Sequence, residues 1–347
     1  MPDDAISDAD LDSLLDQVSA DGADRRLHRD LLRTAVGLAS DEPSRLDLKI
    51  ALAALAEMRR AFSTFAPYRD RQKITMFGSA RTRPDDPLYA QARGVAERLS
   101  EHGWMVVTGA GPGIMAAGME GAGIENAFGV TIRLPFEESA NGFIAGDPKL
   151  VDMKYFFTRK LMLVKESAAF VALPGGFGTQ DETFELFTLQ QTGKTEPAPV
   201  VLLDVPGGTY WTAWADFVRT ELVARGLVAA EDLNLFLITD DANEAVEEIL
   251  RFHHNYRSLR WVGDRLVLRL EHAPNHAELA DLNEEFADVI TSGAISRTEP
   301  LKAEVADDDD LGAERLVVRF DRYHMSRLRS LINELNRLPS MEGVRGT

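Results

Sequence analysis

The chain has 347 residues, 45% hydrophobic and 27% charged, which suits a globular protein with two domains or one large domain with extensions. It contains no cysteine, which excludes disulfides, thiolate metal sites and a Cys nucleophile. A formal net charge of −18 argues against nonspecific binding to nucleic acid or to an anionic membrane. A small phosphate-bearing ligand remains compatible with that charge, because a few cations and aimed backbone N–H groups suffice to hold it.

Met1 to Asp16 is acidic and lacks the basic start and apolar block of a secretory signal. Apolar runs such as Phe170–Leu173 and Val200–Leu203 are far too short to span a bilayer, so the expectation is a cytoplasmic protein without membrane contact. Residues 1–70 read as a helical extension. Leu11, Leu14, Leu15 and Val18 recur at helical spacing, as do Leu27, Leu31, Leu32, Val36 and Leu38, and after Pro43 Leu46, Ile50, Leu52, Leu55, Met58 and Phe62. No catalytic cluster lies there, so packing, capping or oligomer contact is its expected role.

Residues 71–254 alternate short apolar runs with helical patterns. The predicted strands are Ile74–Phe77, Trp104–Thr108, Gly129–Leu134, Ala169–Leu173 and Pro199–Leu203, with a sixth at Leu235–Ile238. Between them the spacing predicts helices at Leu88–His102, Ile114–Asn126, Phe156–Glu166, Asp181–Gln191 and Trp211–Arg225. Strands apolar on both faces and separated by helices specify an α/β fold, a doubly wound (Rossmann-like) parallel sheet. Ligands bind such sheets where strand carboxyl ends meet helix N-termini.

Residues 255–347 change character. Leu259–Trp261 and Arg265–Leu270 flank a Gly263-Asp264 turn, a hairpin signal. A helix at Ala277–Val289, extended runs at Ile295–Glu304 and Arg315–Phe320, and a last helix at Met325–Leu338 complete a small C-terminal α+β appendage. The run Asp307–Asp310 lacks the Gly and Glu offsets of a calcium loop and reads as a solvated loop.

The chemistry concentrates in glycine-rich turns at predicted strand ends. Gly109-Ala110-Gly111-Pro112-Gly113 joins a strand to the helix from Ile114, but Ile114 stands where a dinucleotide fingerprint has its third glycine. Pro174-Gly175-Gly176-Phe177-Gly178-Thr179 makes a phosphate cradle of glycine backbone and a hydroxyl at a helix start. No Lys follows its last glycine, so it is not a Walker A loop. Thr179 and Glu182 also carry the spacing of a capping box. Gly78-Ser79 ends the first strand with a third small-residue turn, and Arg159-Lys160 supplies a cation pair just upstream of the cradle. Arg81, Arg83 and Arg133 are candidate secondary contacts. His253-His254 reads as a surface pair at a helix end rather than a metal site, since neighbours on a helix point about 100° apart. Trp211 and Trp214 read as core anchors, and neither a cofactor nor a metal ion is called for.

Gly78-Ser79, Gly109 through Met115, Arg159-Lys160 and the run Pro-Gly-Gly-Phe-Gly-Thr-x-x-Glu ending at Glu182 resemble, in that order, the LOG (Lonely Guy) family over residues 72–250. Members are phosphoribohydrolases often mislabelled as lysine decarboxylases. The resemblance implies hydrolysis of the N-glycosidic bond of a nucleoside 5′-monophosphate, AMP or an N6-modified AMP of the cytokinin type, to free base and ribose 5-phosphate. It makes Arg159 and Glu182 the catalytic pair. It gives the 5′-phosphate to Gly175, Gly176, Gly178 and Thr179, and further substrate contacts to Gly78, Ser79, Gly109, Gly111, Gly113 and Lys160. It also implies a homo-oligomer, dimer or higher. The sequence departs at Ala110, where many members have Gly, and places Asp181 beside Glu182, where it could raise the glutamate's pKa. Two other readings stay open: a noncatalytic carrier of a nucleotide or phosphorylated cofactor, and a regulated protein whose flanking blocks sense another nucleotide.

Overall fold

The computed structural model describes residues 6–17, 24–133 and 140–338, so Val18 and Leu134 of the expected elements lie outside the described residues. Three helices open the chain: α1 (Asp8–Gln17), α2 (Arg25–Ser40) and α3 (Arg45–Phe65). Arg29 Nη2 donates to both carboxylate oxygens of Asp12 and ties α2 to α1. α3 starts in a capping box, with Asp47 N donating to Ser44 Oγ and Ser44 N to the Asp47 carboxylate.

The α/β unit then runs β1 (Lys73–Phe77), α4 (Pro87–Glu101), β2 (Met105–Thr108), α5 (Ile114–Ala122), β3 (Ala127–Ile132), β4 (Leu150–Met153), α6 (Phe156–Lys165), β5 (Ala169–Ala172), α7 (Phe177–Gln191), β6 (Val200–Leu203), α8 (Tyr210–Phe217), β7 (Leu237–Thr239) and α9 (Ala242–Phe252). All seven strands are parallel in the order β4-β3-β2-β1-β5-β6-β7. Every residue of β1, β2, β5 and β6 is buried, because α4, α5 and α9 cover one face and α3, α6, α7 and α8 the other.

The expected strands are all present, shifted by a residue or two. β4 is an addition at the sheet edge, and α8 ends at Phe217, continuing as a π-helical turn to Val223 instead of running α-helically to Arg225. Trp211 is fully buried and Trp214 packs against the same core. His253 is half-buried rather than a surface residue. It caps α9 with Nε2 3.0 Å from the Ala168 carbonyl, and burial lowers its pKa to about 4, so it is neutral at pH 7.

The chain continues as β8 (Tyr256–Val262), β9 (Arg265–Leu270), α10 (His276–Glu285), β10 (Ile290–Arg297), α11 (Lys302–Ala306), β11 (Glu314–Phe320) and α12 (Met325–Leu335). The strands form an antiparallel sheet, β10-β11-β9-β8, whose apolar face packs under α12 and Phe286. The expected extended run Ile295–Glu304 is instead the end of β10 followed by the short helix α11.

The aspartates of 307–310 are more than a solvated loop. Asp309 binds Arg269 at 2.6 Å and Arg260 at 2.7 Å, while Asp310 takes Arg257. Beneath them Glu304, with no exposed side-chain surface, lies 2.8 Å from Arg269 and 3.3 Å from Arg315. Glu304→Ala would leave two buried guanidiniums short of their counter-charge. It is expected to cost about 3–5 kcal/mol, read as a lowered urea midpoint, and an unchanged midpoint would show the cluster to be energetically idle. Among the described residues no helix is long and apolar enough to cross a membrane, and no cluster of three or more His, Asp or Glu side chains is placed to hold a metal ion.

Candidate functional site

The chain builds outward from β1 to β4, then returns to lay β5 on the other side of β1, which makes the β1/β5 boundary the topological switch point. The three glycine turns meet there. Ser79 N donates to the Pro174 carbonyl at 3.3 Å, and Ile114 N donates to the Ser79 carbonyl at 3.1 Å. Gly113 has φ +68°, and a Cβ on it would stand 2.2 Å from the Ser79 carbonyl oxygen, so this crossing of two backbones admits only glycine. Gly78 packs against Ile114 and Gly175 against Thr179 and Ser79 in the same way.

In the first turn, Ala110 is fully buried at φ +58°, in the left-handed region that L side chains avoid. Its neighbours hold it there. Thr108 Oγ1 accepts from Ala110 N at 3.0 Å, while Asn141 donates through its backbone N and Nδ2 to the Ala110 carbonyl and through Nδ2 to that of Gly111. Asn141 carried no sequence signal.

The cradle opens α7. Its helix begins at Phe177, four residues before the expected start, with Gly176 as N-cap. Thr179 is therefore the third helical residue and the expected capping box with Glu182 is absent. The Thr179 hydroxyl lies against Gly175 and has no hydrogen-bond partner among the described residues. Nothing stands within 4 Å of the position a Cβ would take on Gly176 or Gly178, so there is open space beside the first turn of α7, whose N–H groups have no intrahelical acceptor. Tyr210 braces the cradle from α8: its hydroxyl donates to the Gly175 carbonyl at 2.6 Å and accepts from Gln180 Nε2 at 2.6 Å. Asp204 caps the turn before α8 by accepting from Tyr210 N. A tyrosine 35 residues downstream is invisible to motif spacing.

Arg159 reaches the same crevice from α6. Its Nε donates to the Val130 carbonyl at 3.0 Å, and its Nη1 lies 3.3 Å from Glu182 Oε1 of α7. Nη2 occupies the space over Gly109, where a Cβ would be 1.9 Å away. Both side chains are nearly buried, with 11% of Arg159 and 14% of Glu182 exposed. Burial raises the pKa of Glu182, partly offset by the charge of Arg159, and Asp181 adds only a smaller push in the same direction. The effect expected of Asp181 is thus mainly desolvation.

α6 is itself anchored by α3 of the N-terminal helices, a packing role of the kind expected of them. The buried Glu57 of α3 accepts from the Thr158 hydroxyl at 2.6 Å and from Lys154 N at 3.0 Å, on either side of the helix start that presents Arg159. Lys160 is committed elsewhere. Its ammonium lies 2.7 Å from both Asp181 and Glu185 of α7. Arg133 pairs with Asp152 at the surface, and Arg81 is exposed.

These residues can be set against known proteins. A family model described as "Possible lysine decarboxylase" matches residues 109–249. A probable cytokinin riboside 5′-monophosphate phosphoribohydrolase of Oryza sativa subsp. japonica is 28% identical over 180 residues, 51% of this chain and 75% of the relative. A cytokinin riboside 5′-monophosphate phosphoribohydrolase of Arabidopsis thaliana is 31% identical over 128 residues, 37% of this chain and 57% of the relative. Among solved structures, the Moco carrier protein from Chlamydomonas reinhardtii aligns with 52% of this chain and 98% of its own, at 22% identity and a TM-score of 0.35. With the glycine turns, the cradle and the Arg–Glu pair, the α/β unit of this chain is similar to these LOG-type phosphoribohydrolases at 28–31% identity.

Proposed function

We propose that the chain hydrolyses the N-glycosidic bond of a nucleoside 5′-monophosphate, AMP or an N6-modified AMP, to free base and ribose 5-phosphate. The observation that carries this reading is a buried carboxylate and guanidinium 3.3 Å apart beside an open cradle of helix N-terminal N–H groups. Gly175, Gly176, Gly178 and Thr179 hold the 5′-phosphate, which fixes the sugar and lends remote binding energy to the reacting bond. Glu182 contacts the ribose hydroxyls, stabilises the oxocarbenium-like transition state and orients water toward C1′. The C1′–N bond breaks with its electron pair going to the base. Water adds to C1′, and its proton balances the one the leaving base takes up. Arg159, pinned by Val130 and stacked over Gly109, keeps Glu182 ionised and forks toward phosphate or base.

The test is chromatography of free base after incubation with AMP, GMP, CMP and N6-isopentenyl-AMP. Retained nucleotide binding with no base released from any of them would leave the noncatalytic carrier in place. We also propose a homo-oligomer. Phe156, Phe157 and Leu161 of α6 are 53%, 54% and 45% exposed, and Phe177 at the cradle is 97% exposed. Such side chains support cover by a second copy of the chain. Sedimentation at micromolar concentration is expected to show a dimer or larger species, and a monomer there would remove this part.

A further inference from the structure

The opposite end of the parallel sheet, where its strands begin, holds a second recess. A cavity of about 850 Å³ opens where the strands begin, at Lys73 of β1 and Ala168 just before β5. α6 and α7 form its walls, and Tyr256 and Arg257 at the start of β8 border it from the second sheet. Seven Lys and Arg side chains line it against three Glu, in a chain whose net charge is −18. Most of these cations are paired, Lys165 with Glu166 and Arg257 with Asp310 for example. Arg69 and Lys194 have no partner among the described residues, and both line the cavity.

The cavity also contains polar groups left without partners. Tyr256 is only 2% exposed and its hydroxyl has no hydrogen bond. His253 Nδ1 is likewise buried and unpaired. Because Nε2 faces the Ala168 carbonyl, an acceptor, the ring proton sits on Nε2 and Nδ1 is left as a lone-pair acceptor. Glu196 stands on the lining at the exposed mouth of the recess. Orphaned buried polar groups are destabilising unless something satisfies them. A buried acceptor on His253 and a buried donor-acceptor on Tyr256 suit the edge of a heterocyclic base, apolar Val164 and Leu189 suit its faces, and two free cations suit a phosphate tail. The volume falls within the roughly 300–1,000 Å³ typical of small-molecule sites.

We infer that this cavity, at the seam between the parallel and antiparallel sheets, is a nucleotide-binding site separate from the Arg159–Glu182 crevice. The base lies against Tyr256 and His253, and the phosphates reach Arg69 and Lys194. The same cavity is lined by Lys160, next to Arg159 and tied to Asp181 and Glu185 around Glu182. A phosphate that draws Lys160 away changes the charge beside Glu182. This coupling rests on the catalytic reading above, whereas the binding does not.

The experiment is calorimetric titration of the full chain with ATP and with pyrophosphate. Gly176→Asp removes the cradle as a competing site, since the position has open space and the added carboxylate repels phosphate. That variant is expected to bind one ATP per chain. Adding Arg69→Glu and Lys194→Glu is expected to weaken ATP at least tenfold, and adding Tyr256→Phe to weaken ATP several-fold while leaving pyrophosphate unchanged. Thermal midpoints confirm that each variant is folded. The inference is overturned if Gly176→Asp binds no ATP, if the double charge reversal binds as tightly as its parent, or if pyrophosphate binds as tightly as ATP. Base release by the wild type without seam binding would overturn this site alone, and seam binding without base release would overturn the catalytic reading alone.

Discussion

Glu182→Gln is expected to release base from AMP about 10²–10⁴-fold more slowly than the wild type while still binding the nucleotide. The amide keeps the size of the side chain and its place on α7. It removes the charge that offsets the oxocarbenium and the basic oxygen that orients water. Phosphate contacts through the cradle are untouched, so the loss belongs in kcat and not in KM. The wild type carries a matching signature in its pH profile. Burial holds the Glu182 pKa above its ordinary value of 4.5. Catalysis needs the ionised form, so kcat/KM falls as pH drops through that raised pKa, at a higher pH than an exposed glutamate would give. In Glu182→Gln this acid limb disappears from the residual rate. Wild-type turnover by the variant, or an unchanged limb, would remove Glu182 from the chemistry.

Gly109→Ala is expected to lower base release by about 10²-fold with little loss of stability, a magnitude like that of deleting one charge-stabilising donor. The single added carbon would lie 1.9 Å from Arg159 Nη2 and 2.7 Å from Met115 Sδ, both at ends of flexible side chains. The fold can yield there by moving the guanidinium. Doing so takes Arg159 off Glu182, and the glutamate's pKa rises further, shifting the acid limb upward. Gly113→Ala is the contrast: its Cβ meets the Ser79 carbonyl oxygen at 2.2 Å with φ at +68°, so that variant loses stability first. The two are separated by measuring thermal midpoint and turnover on each. A Gly109→Ala variant with full activity would show that the position of Arg159 over Gly109 does not matter to catalysis.

Both predictions depend on residues already conspicuous as a string of letters, yet their geometry was not. Asn141 and Tyr210 fix the two glycine turns from far along the chain, through one amide and one hydroxyl, and no spacing rule connects them to the turns they brace. Lys160 was expected to be a further substrate contact beside Arg159. On a helix, adjacent side chains diverge by about 100°, and Lys160 turns to the carboxylates of α7 instead. β4 escaped notice because Leu-Val-Asp-Met is short and carries a charge. As an edge strand it alternates half-buried and buried positions and needs no apolar run.

The cradle from Pro174 to Glu182, the two other glycine turns and the parallel α/β class were determined by the sequence alone, because strands buried on both faces must be apolar throughout and tight strand-to-helix turns demand glycine. Tertiary structure decided what those turns meet. It set Arg159 against Glu182 across two helices, moved the start of α7 back to Phe177, and buried His253 Nδ1 and the Tyr256 hydroxyl at a seam that neither residue's neighbours foretell. It paired Asp309 with arginines 40 and 49 residues away. Such contacts join segments distant in the chain, and their desolvation and charge exist only once the two sheets are packed.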